Sequence, residues 1–86
     1  MDISARKLKL ITSALNDAEK EVTRAVSLHS PFNSAHEGYA VILEELDELK
    51  EEVWKKRSER DRGAMREEAI QIAAMAIRFS VEICEI

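Results

Sequence analysis

Glu44-Glu45-Leu46-Asp47-Glu48 is the stretch around which the chain is organised, and Arg66-Glu67-Glu68-Ala69-Ile70-Gln71 answers it downstream. Both lie in patterns of helical period. Glu45 and Glu48 are three apart in sequence, as are Glu68 and Gln71, and side chains at that spacing share one face of a helix. Two such helices laid antiparallel bring four oxygen-bearing side chains together. Unit charges about 4 Å apart repel by roughly 1 to 4 kcal/mol, depending on how wet the site is. A carboxylate cluster of this kind is stable mainly with a cation in it, and the hard, oxygen-seeking Mg²⁺ is the expected one.

The acidic stretch belongs to a helix expected over about 34–57. Ser34-Ala35-His36-Glu37 has the capping-box spacing, in which hydroxyl and carboxylate satisfy each other's backbone amides. Tyr39, Ile42, Leu46, Leu49 and Val53 then form an apolar stripe. On this phase Glu45 flanks the stripe, and Glu48 and Glu52 lie further round. Upstream, His29-Ser30-Pro31-Phe32-Asn33 is a sharp connection, because Pro31 disfavours helical geometry at Ser30 and lacks an amide. The helix before it is expected over about 4–28, with the stripe Leu8, Ile11, Leu15, Ala18, Val22 and Ala25 facing a partner helix.

Downstream, Lys55, Lys56, Arg57, Arg60, Arg62 and Arg66 crowd a turn with Glu59 and Asp61. Cations suit a helix C-terminus and a charged turn is well solvated; the sharper alternative is that one or two of them reach a phosphate. Asp61 is the expected N-cap of a third helix over about 62–85. That helix carries two stripes, Met65, Ala69, Ile72, Ala76, Phe79, Ile83 and Ile70, Ala74, Ile77, Val81, Cys84. An element apolar on two sides is central or packs against a partner as well, which predicts a homodimer completing a helical bundle. Its polar remainder includes Glu68, Gln71 and Arg78 on one face.

Composition agrees with an all-α chain forming a single domain over 1–86. Two glycines and one proline in 86 residues, 35 % of them charged, leave room for helices and short connections. A net charge of −4 argues against a general nucleic-acid or anionic-membrane binder. The single Cys84 excludes an internal disulfide, fits a reducing compartment, and is expected to pack as a small hydrophobe. Met1-Asp2-Ile3-Ser4-Ala5-Arg6-Lys7 leads into an amphipathic pattern rather than a signal peptide. Gln71, Arg78, Glu82 and Glu85 interrupt the apolar C-terminal stretch, which is unlike a membrane span. A cytoplasmic location is expected.

The paired motifs, Glu44-Glu45-Leu46-Asp47-Glu48-Leu49 and, after a basic turn, Arg66-Glu67-Glu68-Ala69-Ile70-Gln71, resemble the signature of the MazG-like all-α nucleoside triphosphate pyrophosphohydrolases. That group includes the helical dUTPases and dCTP pyrophosphatases. Its signature is Glu-x-x-Glu on one helix and Glu-x-x-Asp on the next, and the match covers roughly 33–81. The resemblance implies a helical core that dimerises or tetramerises, Mg²⁺ held by four acids, and hydrolysis of a nucleotide to its monophosphate and pyrophosphate. Carried over, Glu45 and Glu48 match the first pair and Glu68 opens the second. Gln71 stands where the family has Asp, offering a neutral carbonyl oxygen in place of a carboxylate.

On this reading Glu45, Glu48, Glu68 and Gln71 are the metal-binding set, and Glu44 or Glu48 takes the proton of an attacking water. Phe32, Asn33, His36, Trp54 and Arg78 are the candidates for contacts to the nucleotide. Each also has a plainer role: Phe32 and Trp54 as aromatics closing helix ends, Asn33 as a turn residue, His36 as a first-turn surface residue. A different class of function uses the same fold, a helical interaction or regulatory module in which the acids are a solvated face and the two-sided third helix is the working surface.

Overall fold

Side-chain caps start each helix. In the computed structural model, α1 spans Ala5–Leu28, α2 Ala35–Val53 and α3 Arg62–Phe79. Residues 2–86 are described, so Met1, the first residue of the expected domain, lies outside them. The Ser4 hydroxyl accepts from the Lys7 amide at 3.1 Å, and that of Ser34 from the Glu37 amide at 3.1 Å. Asp61 accepts from the amides of Gly63 and Ala64 at 2.8 and 3.1 Å, as an N-cap should.

The other half of the capping box forms differently from expectation. Glu37 accepts from the Asn33 amide at 3.3 Å and from Asn33 Nδ2 at 3.0 Å rather than from the Ser34 amide. Asn33 presents two donors to one carboxylate and wins it. The second helix also ends at Val53, short of 57. Arg60 folds back to donate from Nε to the Val53 carbonyl at 2.9 Å, and a single 3₁₀ turn, Arg57–Glu59, completes the reversal. At the other end of the chain, α3 runs on into a π-helical turn, Ser80–Cys84, and Glu85 closes it in the left-handed conformation. Cys84 at the end of that widened turn is exposed, not packed as a core hydrophobe.

No strand occurs among the described residues, and three packed helices make the fold. α3 is the central element and packs against both α1 and α2. The buried apolar residues are few and mostly small: Ala18, Ala25, Phe32, Ala74 and Met75, with Val22, Val41 and Ile42 packed against them.

The faces turned inward agree only in part with the apolar stripes: Ile42, Leu49 and Val53 on α2 and Met65, Ile72, Ala74 and Phe79 on α3 are at least half-buried, while other stripe members are not. On α2, Gly38 is buried and Val41, Ile42, Glu45, Leu49 and Val53 are half-buried, whereas Tyr39 and Leu46 are exposed. Gly38 is the reason. A Cβ there would lie 2.6 Å from Phe79 Cδ2 and 3.1 Å from Phe32 Cδ2, so only glycine lets these two rings close over the first turn. Turning position 38 inward carries position 45, seven residues on, inward as well. Glu45 therefore occupies the packed face rather than flanking it.

Gly38→Ala is accordingly expected to destabilise the fold by up to about 2 kcal/mol, the overpacking cost of roughly 1 to 3 kcal/mol less the roughly 1 kcal/mol that Ala gains over Gly in a helix. Thermal unfolding measures it, and an unchanged or raised melting temperature would show that the Phe79 ring yields without cost.

On α3 the inward row is Glu68, Gln71, Met75, Arg78 and Glu82 with Ala74 beside it, a row that is polar at four of its five seven-fold-related positions. Ala69, Ala76, Ile77 and Val81, from the two predicted stripes, are exposed. Arg78 and Glu82 form a buried ion pair, Nε to Oε1 at 2.9 Å, with side chains only 7 % and 6 % exposed. Arg78 Nη2 also reaches the Ser30 carbonyl at 2.8 Å, and Glu82 Oε1 accepts from the Phe32 amide at 2.9 Å. These two side chains clip the α1–α2 connection to α3.

The chain is open for its size. Its radius of gyration is 14.6 Å, against about 12 Å for a compact domain of this length. It exposes 6773 Å², against about 5,200 Å² for a folded monomer of this mass. Much of the excess is apolar: Leu8, Ile11 and Leu15 of α1, Tyr39, Leu43, Leu46 and Trp54 on or just after α2, and Ile77 and Val81 toward the end of α3 are all exposed. The α1 stripe thus packs on α3 only through Ala18, Val22 and Ala25. No helix among the described residues is long and apolar enough to cross a membrane.

Candidate functional site

Glu45 on α2 and Glu68 on α3 are brought together by the same rotation that buries Gly38 and Ala74. Glu48, one turn after Glu45, joins them from the exposed edge of α2. Each of the three offers a carboxylate oxygen within 4.8 Å of the others. Three negative charges at such separations repel strongly where water is scarce. The Glu45 carboxyl is pushed up to about 7, first by burial and then by the charges of Glu48 and Glu68. Glu68 is raised too, by burial first and by Glu48 next. Its Oε2 is buried and meets no hydrogen-bond donor among the described residues.

An all-carboxylate donor set with one buried acceptor left unpartnered fits a hard divalent cation. Glu45, Glu48 and Glu68 would hold it. Gln71 lines the cleft beside this group and faces Glu21, whose carboxyl is held below its ordinary range by the Arg24 guanidinium foremost and by Gln71 in a smaller part. Glu44 is exposed and stands outside the trio.

A cleft of about 380 Å³ opens from Glu45 toward the α1–α2 connection. α1 contributes Glu21 and Arg24, the connection His29 and Phe32, and α3 Gln71, Met75 and Arg78. Arg24 is paired to Glu21 by two bonds, Nη2 to Oε1 at 2.6 Å and Nε to Oε2 at 3.1 Å. Arg78 stacks over the Phe32 ring with its Cζ 4.0 Å from the centroid. The cleft is of the size that takes a small ligand, with one aromatic and several charged groups on its walls.

The residues singled out for nucleotide contacts are dispersed. Phe32 and Arg78 line the cleft, and both are held by the clip to α3. Asn33 is engaged by Glu37. His36 is exposed beside Ala35, Tyr39 and Phe79, in a shallow depression apart from the cleft. Trp54 lies at the far end of α2, 75 % exposed, with Lys50 Nζ 5.9 Å from its ring centroid. Sequence reasoning passed over Glu21, Arg24 and Glu82. Their signal was pair spacing: Glu21 and Arg24 at three, Arg78 and Glu82 at four in an otherwise apolar surround.

Comparison of the chain with protein-family models, curated proteins and solved structures yields no match.

Proposed function

We propose that the chain is a Mg²⁺-dependent, MazG-like nucleoside triphosphate pyrophosphohydrolase, acting in the cytoplasm as a homodimer or homotetramer whose helices complete an antiparallel bundle. The observation that carries this reading is the convergence of Glu45, Glu48 and Glu68, with the unpartnered Oε2 of Glu68 buried between α2 and α3. Mg²⁺ bound there would neutralise phosphate oxygens and acidify a bound water. Glu48, the exposed member of the trio, is open to take a proton from that water. The adjoining cleft has room for the remainder of a nucleotide, with Phe32 as an apolar wall and Arg24 as a cation near the phosphates. Gln71 keeps that wall neutral where the resembled family is acidic.

Two bulk properties support association. An excess of about 1,600 Å² of exposed surface over a monomer of this mass is what a subunit awaiting its partner displays. The radius of gyration points the same way.

The test is pyrophosphate release from a panel of dNTPs and NTPs with Mg²⁺, comparing the unsubstituted chain with Glu48→Gln and Gln71→Asp. Turnover that Glu48→Gln reduces at least about a hundredfold, the usual scale for a general base, is the expected result. An inert parent revived by Gln71→Asp would mean a degenerate site on an intact scaffold. The exposed apolar surface favours a second reading, a regulatory or interaction module of the same fold, and inertness of all three chains toward every nucleotide would transfer the function to it.

A further inference from the structure

From Ala5 to Ser13 every residue of α1 is exposed. Further along, the Asp17 carboxylate pairs with Arg66 of α3 at 2.9 Å. About three turns of helix, 5–15, thus lie almost wholly outside the packed body, with Ala14 alone half-buried among them. An isolated helix of that length is marginal in water. This one nevertheless presents an apolar row, Leu8 at 54 %, Ile11 at 41 % and Leu15 at 63 % exposure.

A second surface has the matching defect. Because Gly38 turns inward, Tyr39, Leu43, Leu46 and Trp54 form a row along the outer side of α2, at spacings of four, three and eight, that no helix of the chain covers. The two surfaces are opposite in charge. The arm of α1 carries Arg6, Lys7 and Lys9, and the outer side of α2 carries Glu44, Asp47 and Glu51 against Lys50 alone. One chain cannot join them, since α1 packs against α3 through its other half.

We propose that the α1 arm, residues 5–15, docks on the outer row of α2 in a second copy of this chain, and that the second copy's arm docks reciprocally on the first. This rests on the homodimer reading above and names its interface. A twofold pairing makes each surface the partner of the other and leaves neither over. Two arm-on-helix contacts are of the right order for the surface to be covered, because an excess of about 1,600 Å² per chain, about 3,200 Å² for two, falls in the range of obligate dimers, which bury about 2,000 to 5,000 Å² in total. The basic arm lying on the acidic outer side also sets which copy's surface it selects.

The experiment uses the full chain carrying Cys84→Ser, alone and with Leu46→Cys, each with the native arm and with Leu8→Asp and Leu15→Asp together. Light scattering gives the mass, and reaction with a maleimide gives the accessibility of the introduced thiol. Leu8 and Leu15 are both exposed, so their substitution leaves the packed body folded, and circular dichroism verifies that. The native-arm chains are expected to be dimers in which the introduced thiol reacts several-fold more slowly than in the arm-substituted chain, which is a monomer. A dimer that survives the arm substitutions, or whose thiol reacts equally fast with either arm, overturns the docking proposal and leaves the dimer standing. A monomeric Cys84→Ser chain removes both.

Discussion

Arg78→Ala is expected to cost about 3 to 5 kcal/mol of folding stability, the scale for removing one partner of a buried ion pair. The substitution takes away more than a charge. It leaves Glu82, with its side chain 6 % exposed, holding a carboxylate against the Phe32 amide alone. It also strips the Ser30 carbonyl of its 2.8 Å donor and the Phe32 ring of the cation stacked on it. A domain of this length has roughly 4 to 13 kcal/mol in all, so the variant should sit near its unfolding midpoint under mild denaturant. Replacing both partners by apolar residues of similar volume should recover much of the loss, because the uncompensated charge is then gone. Urea unfolding of the two variants measures this. A loss below about 1 kcal/mol in Arg78→Ala would place the pair among contacts that contribute little.

Stability should also fall as pH rises through the carboxylate trio. The folded chain holds the Glu45 proton up to about pH 7, whereas the unfolded chain releases it near 4.5. Between those values the folded state binds more protons than the unfolded state, so unfolding free energy decreases with increasing pH. The full stabilisation is present below 4.5 and is lost by the time pH has passed about 7. Glu68, raised in the same direction, adds to the slope. A divalent cation replaces the proton as the neutralising charge, so millimolar Mg²⁺ should flatten the profile and restore stability on the alkaline side. Melting temperatures across this range, with and without Mg²⁺, decide it. A profile flat without metal would mean that the three acids are solvated and do not press on one another.

The helices were legible because their ends are written in short-range chemistry. Ser34 and Asp61 cap where their side chains predict, and Pro31 separates α1 from α2. The phase of the helices was legible from apolar period only in part: Ala18, Val22 and Ala25 on α1 and Ile42, Leu49 and Val53 on α2 turn inward with their stripes. Period alone pointed α2 through Tyr39 and Leu46, whereas the contact of Gly38 with Phe32 and Phe79 turns it the other way. Its Phe79 side joins residues about forty positions apart and leaves no local trace in the pattern. On α3 a polar row also faces inward, so a search for apolar stripes finds Met65, Ile72, Ala74 and Phe79 but misses Glu68, Gln71, Arg78 and Glu82 as inward positions. The three acids were found by their spacing, which survives any rotation that keeps one face intact. Glu82 was not, since its role depends on a π turn and on a connection distant in sequence.

Mn²⁺, a paramagnetic ion sharing the oxygen preference of Mg²⁺, reports whether Glu45, Glu48 and Glu68 bind a divalent cation. Titration above pH 7, where Glu45 is ionised, followed by electron paramagnetic resonance, should show a saturable bound population that Mg²⁺ displaces and that Glu68→Gln abolishes. Free Mn²⁺ signal at every concentration, or binding unchanged by Glu68→Gln, would contradict the account.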